Sequence, residues 1–163
     1  MQSLSKHLFI SVKDQTLEVR EGARVLRTFP VSTSKFGLGS EESSCRTPVG
    51  RFRISEKIGQ DAPAGTVFKG RVPCGHWKTG DKEEEDMILS RIMWLDGLDR
   101  ENRNTHDRYV YIHGTNDEAS IGKPVSHGCI RLRNADVIEL FDLVPLGSPV
   151  EISETGKEGI LSA

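Results

Sequence analysis

No apolar run in this 163-residue chain approaches the ~20 residues that a membrane-spanning helix needs. The opening Met1-Gln2-Ser3-Leu4-Ser5-Lys6-His7 lacks the ~7–15-residue apolar core and small-residue cleavage site of a secretory signal. No lipidation box is present either. The expectation is a cytoplasmic protein with no membrane partner; a chain trimmed from a longer precursor would be periplasmic instead. Cysteine is scarce: Cys45, Cys74 and Cys129 are three residues with no Cys-x-x-Cys pair, which suits neither a disulfide framework nor a zinc knuckle and points to a reducing compartment. Cys45 and Cys74 are expected to be small, buried or half-buried residues. Excess charge is missing too. A net charge of −2 gives no electrostatic ground for a nucleic-acid partner. Phe36-Gly37-Leu38-Gly39-Ser40 has no Gly-Lys-Ser/Thr ending, which removes a phosphate cradle. Repeats, linkers and low-complexity stretches are absent, so residues 1–152 read as a single domain with a frayed tail over 153–163.

What is present is mostly β. Leu8–Val12, Thr16–Arg20 and Ala23–Val31 alternate as an antiparallel meander of short, half-exposed strands, with turns at Lys13-Asp14-Gln15 and Glu21-Gly22. Residues 32–47 read as a loop. Alternation restarts at Thr47–Ile54, with Val49, Phe52 and Ile54 as core candidates. Residues 55–86 are the least regular; Val67–Val72 suggests a short strand, and Glu83-Glu84-Glu85-Asp86 reads as a solvated acidic face. Met87–Leu95 suits a buried strand, Asp96–Asp107 a polar loop, and Tyr109–His113 a strand ended by Gly114. Asn134 is placed as the cap of a helix with Val137, Leu140, Phe141 and Val144 inward. Pro145 and Gly147 stop it, and Pro149–Ile152 closes the domain. The fold class is mainly β with one or two helices.

The chemistry concentrates in His113-Gly114 and Ser126-His127-Gly128-Cys129-Ile130-Arg131. A thiol attacks carbonyl carbon as its thiolate, and a nearby imidazole can take its proton and return it to a leaving amine. Glycine beside the nucleophile admits substrate and frees N–H groups for an oxyanion hole. Cys129 is therefore the candidate nucleophile and His113, at a strand end, the candidate base. Ser126, His127 and Gly128 would line the site. Arg131 and Arg133 alternate on one side; Arg131 is the stronger candidate for binding a substrate carboxylate, while a solvated face suits Arg133. Trp94, Tyr109 and Tyr111 read as packing residues. A zinc site built from His113, His127 and Cys129, completed by His106 or Cys74, is the competing reading. No cofactor or resident metal is expected.

These residues resemble the YkuD-type L,D-transpeptidase family, whose signature is a histidine followed by a Ser/Thr-His-Gly-Cys box. Thr47-Pro48-Val49-Gly50-Arg51-Phe52 is similar to the family's weaker Thr-Pro-x-Gly-x-Phe landmark. The resemblance implies a β-sandwich-like domain with a mixed sheet carrying the cysteine. It implies Cys129 as nucleophile, His113 as proton acceptor, and the Gly114 carbonyl as the group that orients the imidazole. The implied partner is a peptidoglycan stem tetrapeptide or muropeptide, attacked between the L-centre of its diamino acid and the terminal D-alanine. With no signal sequence or wall-binding module in the chain, the expectation is an L,D-carboxypeptidase of murein recycling. Cross-linking L,D-transpeptidation is the alternative, and a non-catalytic muropeptide-binding domain is the alternative of another class.

Overall fold

The computed structural model describes residues 5–83 and 85–156. Ten strands form one mixed sheet: β1 (Lys6–Ser11), β2 (Thr16–Glu21), β3 (Arg24–Pro30), β4 (Gly50–Ile58), β5 (Thr66–Lys69), β6 (Val72–His76), β7 (Ile88–Gly97), β8 (Tyr111–Gly114), β9 (Ile130–Leu132) and β10 (Pro149–Ser153). One α-helix, α1 (Asn134–Leu143), and a 3-10 turn at Glu118–Ser120 complete it. The strand order is β3-β2-β1-β10-β4-β7-β5-β6, with β8 on β7 and β9 on β8. Two pairs are parallel, β1–β10 and β8–β9. The expected hairpins form at the front of the chain, and Gly22 at φ 60° opens the two-residue β2–β3 loop as a II′-type turn requires.

Strand alternation divides the apolar residues between two faces. Leu8, Ile10, Phe52, Ile54, Met93, Leu95, Ile112 and Ile130 pack with Val137, Leu140 and Phe141 of α1 in the main core. Phe68, Ile92, Trp94 and Tyr111 form a smaller cluster, against which Cys129 packs. Lys57 of β4 reaches the C-terminal end of α1, donating to the carbonyls of Phe141 at 2.6 Å and Val144 at 2.8 Å. That cation stands in for the basic residue the last helical turn lacks.

Several expectations change. The first two strands are not half exposed, although β3 at the sheet edge is mostly exposed: Leu8, Phe9, Ile10 and Ser11 are buried, because β1 lies between β2 and β10 and Arg20 covers the Phe9 ring at 4.5 Å. Val49 is exposed, since it has the opposite parity to Phe52 and Ile54 and precedes the strand. The single strand expected at Val67–Val72 is a hairpin, β5–β6, with Arg71 at φ 66° in its turn. Asn134 does not cap α1. It is the first helical residue and points inward, while Glu118 Oε2 accepts its backbone N–H at 2.9 Å. The chain is not frayed from Ser153, which pairs with Ser11 and is followed by a Lys13 N–H bond to the Glu154 carbonyl. The rest of the expected tail, 157–163, lies outside the described residues.

Candidate active site

The site grows from the parallel pair β8–β9. Its register sets Ile112 against Ile130, His113 against Arg131 and Gly114 against Leu132. Because side chains alternate, Ile112, Ile130 and Leu132 enter the main core. Tyr111, His113, Cys129 and Arg131 therefore share the opposite face. A ladder, not a flexible loop, brings the two segments of the motif together.

His113 is 1% exposed. Its Nδ1–H donates to the Gly114 carbonyl at 2.6 Å, an acceptor-only group that leaves Nε2 with the free lone pair. Burial lowers the imidazole pKa below its ordinary value; the Gly114 bond and Asp86 pull it back up, and Arg131 lowers it. Glycine at 114 is required by space. A Cβ there would collide with Asn134 Oδ1 and lie 2.6 Å from the Leu89 carbonyl. Asn134 is itself fixed: Ser90 Oγ donates to its Oδ1 at 2.6 Å, and its Nδ2 donates to the Thr115 carbonyl at 2.9 Å. Ser90 has φ 72° where the β7–β8 register shifts, and its Oγ accepts the Gly65 N–H at 2.9 Å.

Cys129 ends a tightly braced loop. Ser126 is buried, and its Oγ donates to the Cys129 carbonyl at 2.7 Å and accepts the Gly128 N–H at 3.2 Å. Both functions are internal to the loop, so this hydroxyl shapes the site without facing a ligand. The Gly128 N–H is turned to Ser126 and so is not among the N–H groups free for an oxyanion hole. Gly128 has φ 122°, a conformation open to glycine and strained for other residues. Thr47, fully buried, donates to the Gly128 carbonyl and accepts the Ser34 N–H, each at 3.0 Å. That contact is the physical content of the Thr47–Phe52 landmark.

The Cys129 thiol accepts the Tyr111 N–H at 3.4 Å and donates to the Tyr109 carbonyl at 3.5 Å. Among the described residues, no hydrogen bond joins it to His113. Burial pushes its pKa from 9.0 up to about 11; the Tyr111 bond, Arg131 and Arg108 pull downward, and Asp86 pushes upward. Thiol and imidazole are thus both neutral at rest.

The acidic run is more than a solvated face. Asp86 Oδ2 lies 2.6 Å from Arg131 Nη2 and 3.6 Å from His127 Nδ1; Glu84 lies outside the described residues. Arg131, expected to take a substrate carboxylate, is already paired with one inside the protein, and its side chain is 5% exposed. Arg133 is exposed ahead of α1. His127 is half exposed and separates two cavities. One, of about 430 Å³, is lined by Glu42, Cys45, Asp107, Arg108, Tyr109 and Cys129 among others. The other, of about 320 Å³, carries Glu83, Glu85, Asp86, Asp117 and Arg131.

Neither spare cysteine is buried: Cys45 and Cys74 are both exposed. Cys45 sits at φ 59° on a loop, and Cys74 on the outer strand β6. Tyr109 packs on one side only, its ring 5.7 Å from that of Trp94. It is 55% exposed at φ 57°, and its carbonyl faces the thiol. Trp94 and Tyr111 do pack, with His106 stacked on Trp94 at 3.9 Å. The zinc reading loses His106 there, and its other completing ligand, Cys74, lies exposed on β6. Among the described residues no three His, Cys, Asp or Glu side chains converge on a metal position. Over the same aromatic group hangs Arg71, its guanidinium 4.7 Å above Trp94 and its Nη1 donating to Tyr111 Oη at 3.2 Å.

Comparison with known proteins gives a consistent set of similarities. The YkuD family model, described as the L,D-transpeptidase catalytic domain, matches residues 5–152. The chain is 33% identical over 147 residues to YkuD of Bacillus subtilis (strain 168), a protein assigned to the L,D-transpeptidases; the match covers 90% of this chain and 65% of that one. The YkuD counterpart of Bacillus licheniformis is 31% identical over 144 residues, covering 88% of this chain and 63% of its own. The chain thus spans just under two thirds of these relatives. An L,D-transpeptidase structure from Mycobacterium smegmatis shares the fold at TM-score 0.62 and 22% identity, over 92% of this chain and 59% of that one.

Proposed function

The chain belongs to the YkuD family of L,D-transpeptidase catalytic domains, and from that premise we propose that Cys129 forms an acyl-enzyme with a peptidoglycan stem tetrapeptide. The observation that carries this reading is the β8–β9 ladder, with the imidazole of His113 and the thiol of Cys129 on one sheet face and Nδ1–H tied to the Gly114 carbonyl. That bond fixes the tautomer and leaves Nε2 as the base. Since both groups rest neutral, the proton moves during attack and not before it.

In the first half-reaction, Sγ attacks the carbonyl carbon at the L-centre of the diamino acid and its proton passes to His113 Nε2. The C–N bond to D-alanine then breaks, and the imidazolium returns that proton to the leaving amine. A thioester remains on Cys129. In the second half, an acceptor amine attacks the thioester, giving its proton to His113, and the thiol departs protonated. The acidic cavity beyond His127 supports an amine as acceptor, because Glu83, Glu85, Asp86 and Asp117 attract an ammonium group, and one of these carboxylates takes the proton it sheds before the free amine attacks. Where no amine is bound, water takes the acyl group, and the reaction is that of an L,D-carboxypeptidase.

Product analysis with tetrapeptide, with and without an acceptor stem, tests the proposal. Wild type should release D-alanine in both cases and form cross-linked dimer when the acceptor is supplied. Absence of D-alanine release, or equal release by Cys129→Ala, overturns the acyl-enzyme reading. Hydrolysis alone at saturating acceptor overturns the amine assignment.

A further inference from the structure

We propose that Arg108 reads a free carboxylate of the donor stem, the task that Arg131 is not placed to perform. This rests on the acyl-transfer reading above. Arg108 lines the cavity of about 430 Å³ into which Cys129 opens, whereas Arg131 belongs to the neighbouring one and is paired with Asp86.

The holding of Arg108 is unlike that of Arg131. Its Nη1 donates to the Gly39 carbonyl at 3.3 Å, and its Nη2 donates to the Arg46 carbonyl at 2.8 Å and Ser44 Oγ at 3.3 Å. Neutral acceptors orient a guanidinium without cancelling its charge. Among the described residues, no carboxylate lies within ion-pair distance of it. Three bonds engage only part of a five-donor fork, so N–H groups remain for a ligand. Burial lowers the Arg108 pKa, and the charge of Glu41 only partly offsets this. A partly desolvated cation with no carboxylate in ion-pair contact is stabilised by an arriving anion.

Arg108 and Cys129 line the same cavity, so a carboxylate held by Arg108 shares that cavity with the scissile carbonyl. The donor offers the terminal D-alanine carboxylate near that bond, and a second such group where the diamino acid's side chain itself ends in an amino-acid centre. Glu42 and Asp107 line the same cavity. They suit the second source, which carries an ammonium beside its carboxylate, and the experiment separates the two.

Three donors are compared by kcat/KM: the free tetrapeptide, its terminal alaninamide, and the tetrapeptide amidated at the diamino acid side chain. Wild type should prefer the free acid over one amide by about 10- to 100-fold, the value of a charge-assisted hydrogen bond. Arg108→Gln should bring that ratio close to unity, while Arg131→Gln leaves it in place. Each ratio is internal to one variant, so a loosened 39–46 loop that slows every donor alike does not move it. Which amide is discriminated identifies the source. A wild-type preference that survives Arg108→Gln, a wild type indifferent to both amides, or a ratio erased by Arg131→Gln alone overturns the assignment. A wild type inert toward all three donors overturns the acyl-transfer reading, and the Arg108 role with it.

Discussion

Alkylation of Cys129 should climb with pH well beyond the range in which ordinary thiols level off. Burial lifts its pKa from 9.0 to about 11, two units that lower the thiolate fraction about 100-fold. At pH 7 this is roughly one molecule in ten thousand, against about one in a hundred for the unshifted thiol. Only the thiolate attacks iodoacetamide, so the rate constant should rise about tenfold per pH unit between about pH 7 and pH 10. The resting imidazole does not shortcut this, since burial holds His113 neutral and the thiol proton points at the Tyr109 carbonyl. The measurement is intact-mass labelling in a Cys45→Ser, Cys74→Ser background, because both of those thiols are exposed and would otherwise obscure the signal. His113→Gln should change the alkylation profile little while abolishing turnover of peptide. A rate that plateaus below about pH 8 would mean a thiolate–imidazolium pair at rest and would refute the reasoning.

Acid stability should report His113. Its folded pKa lies below the ordinary 6.5, so the unfolded chain binds the proton first. The stabilisation is complete above about pH 6.5 and declines as pH falls, by at most about 1.4 kcal/mol per pH unit. Urea midpoints from pH 5 to 8 should show that His113→Gln flattens this limb; an unchanged limb rules the histidine out as its source. Gly128→Ala should cost about 1–3 kcal/mol through backbone strain, read by thermal melting, with turnover falling because Cys129 is next in sequence. Asn134→Ala strands the Thr115 carbonyl and Ser90 Oγ and should cost about 1–3 kcal/mol in a denaturant titration. A neutral result there would show that water replaces the amide.

The strands and the helix were legible because alternation and helical spacing are local properties of the chain. The His113, Gly114 and Cys129 grouping was legible because two short segments hold it. What stayed hidden depends on partners far away in sequence. Asp86 looks like the end of a solvated acidic run until folding brings it to Arg131, 45 residues on. Arg108 carries no local signature, since its surroundings come from the 39–46 loop. Asn134 has the residue type of a cap, yet a buried Ser90 and Thr115 outbid solvent for its amide. Gly114 enters the sequence reading of the site only through its carbonyl; the Leu89 carbonyl and Asn134 make its missing side chain necessary.

The bulge at Ser90 has an engineering consequence. Its hydroxyl holds Gly65, the residue entering the β5–β6 hairpin, on one side and Asn134 on the other. Asn134 in turn holds Thr115, the residue after Gly114. The hairpin that bears Arg71 is therefore not an interchangeable part. A graft that swapped it for a longer or shorter one would have to keep residues 90 and 134 matched to the new entry point. Otherwise the replacement would be felt at the strand end that aims the histidine.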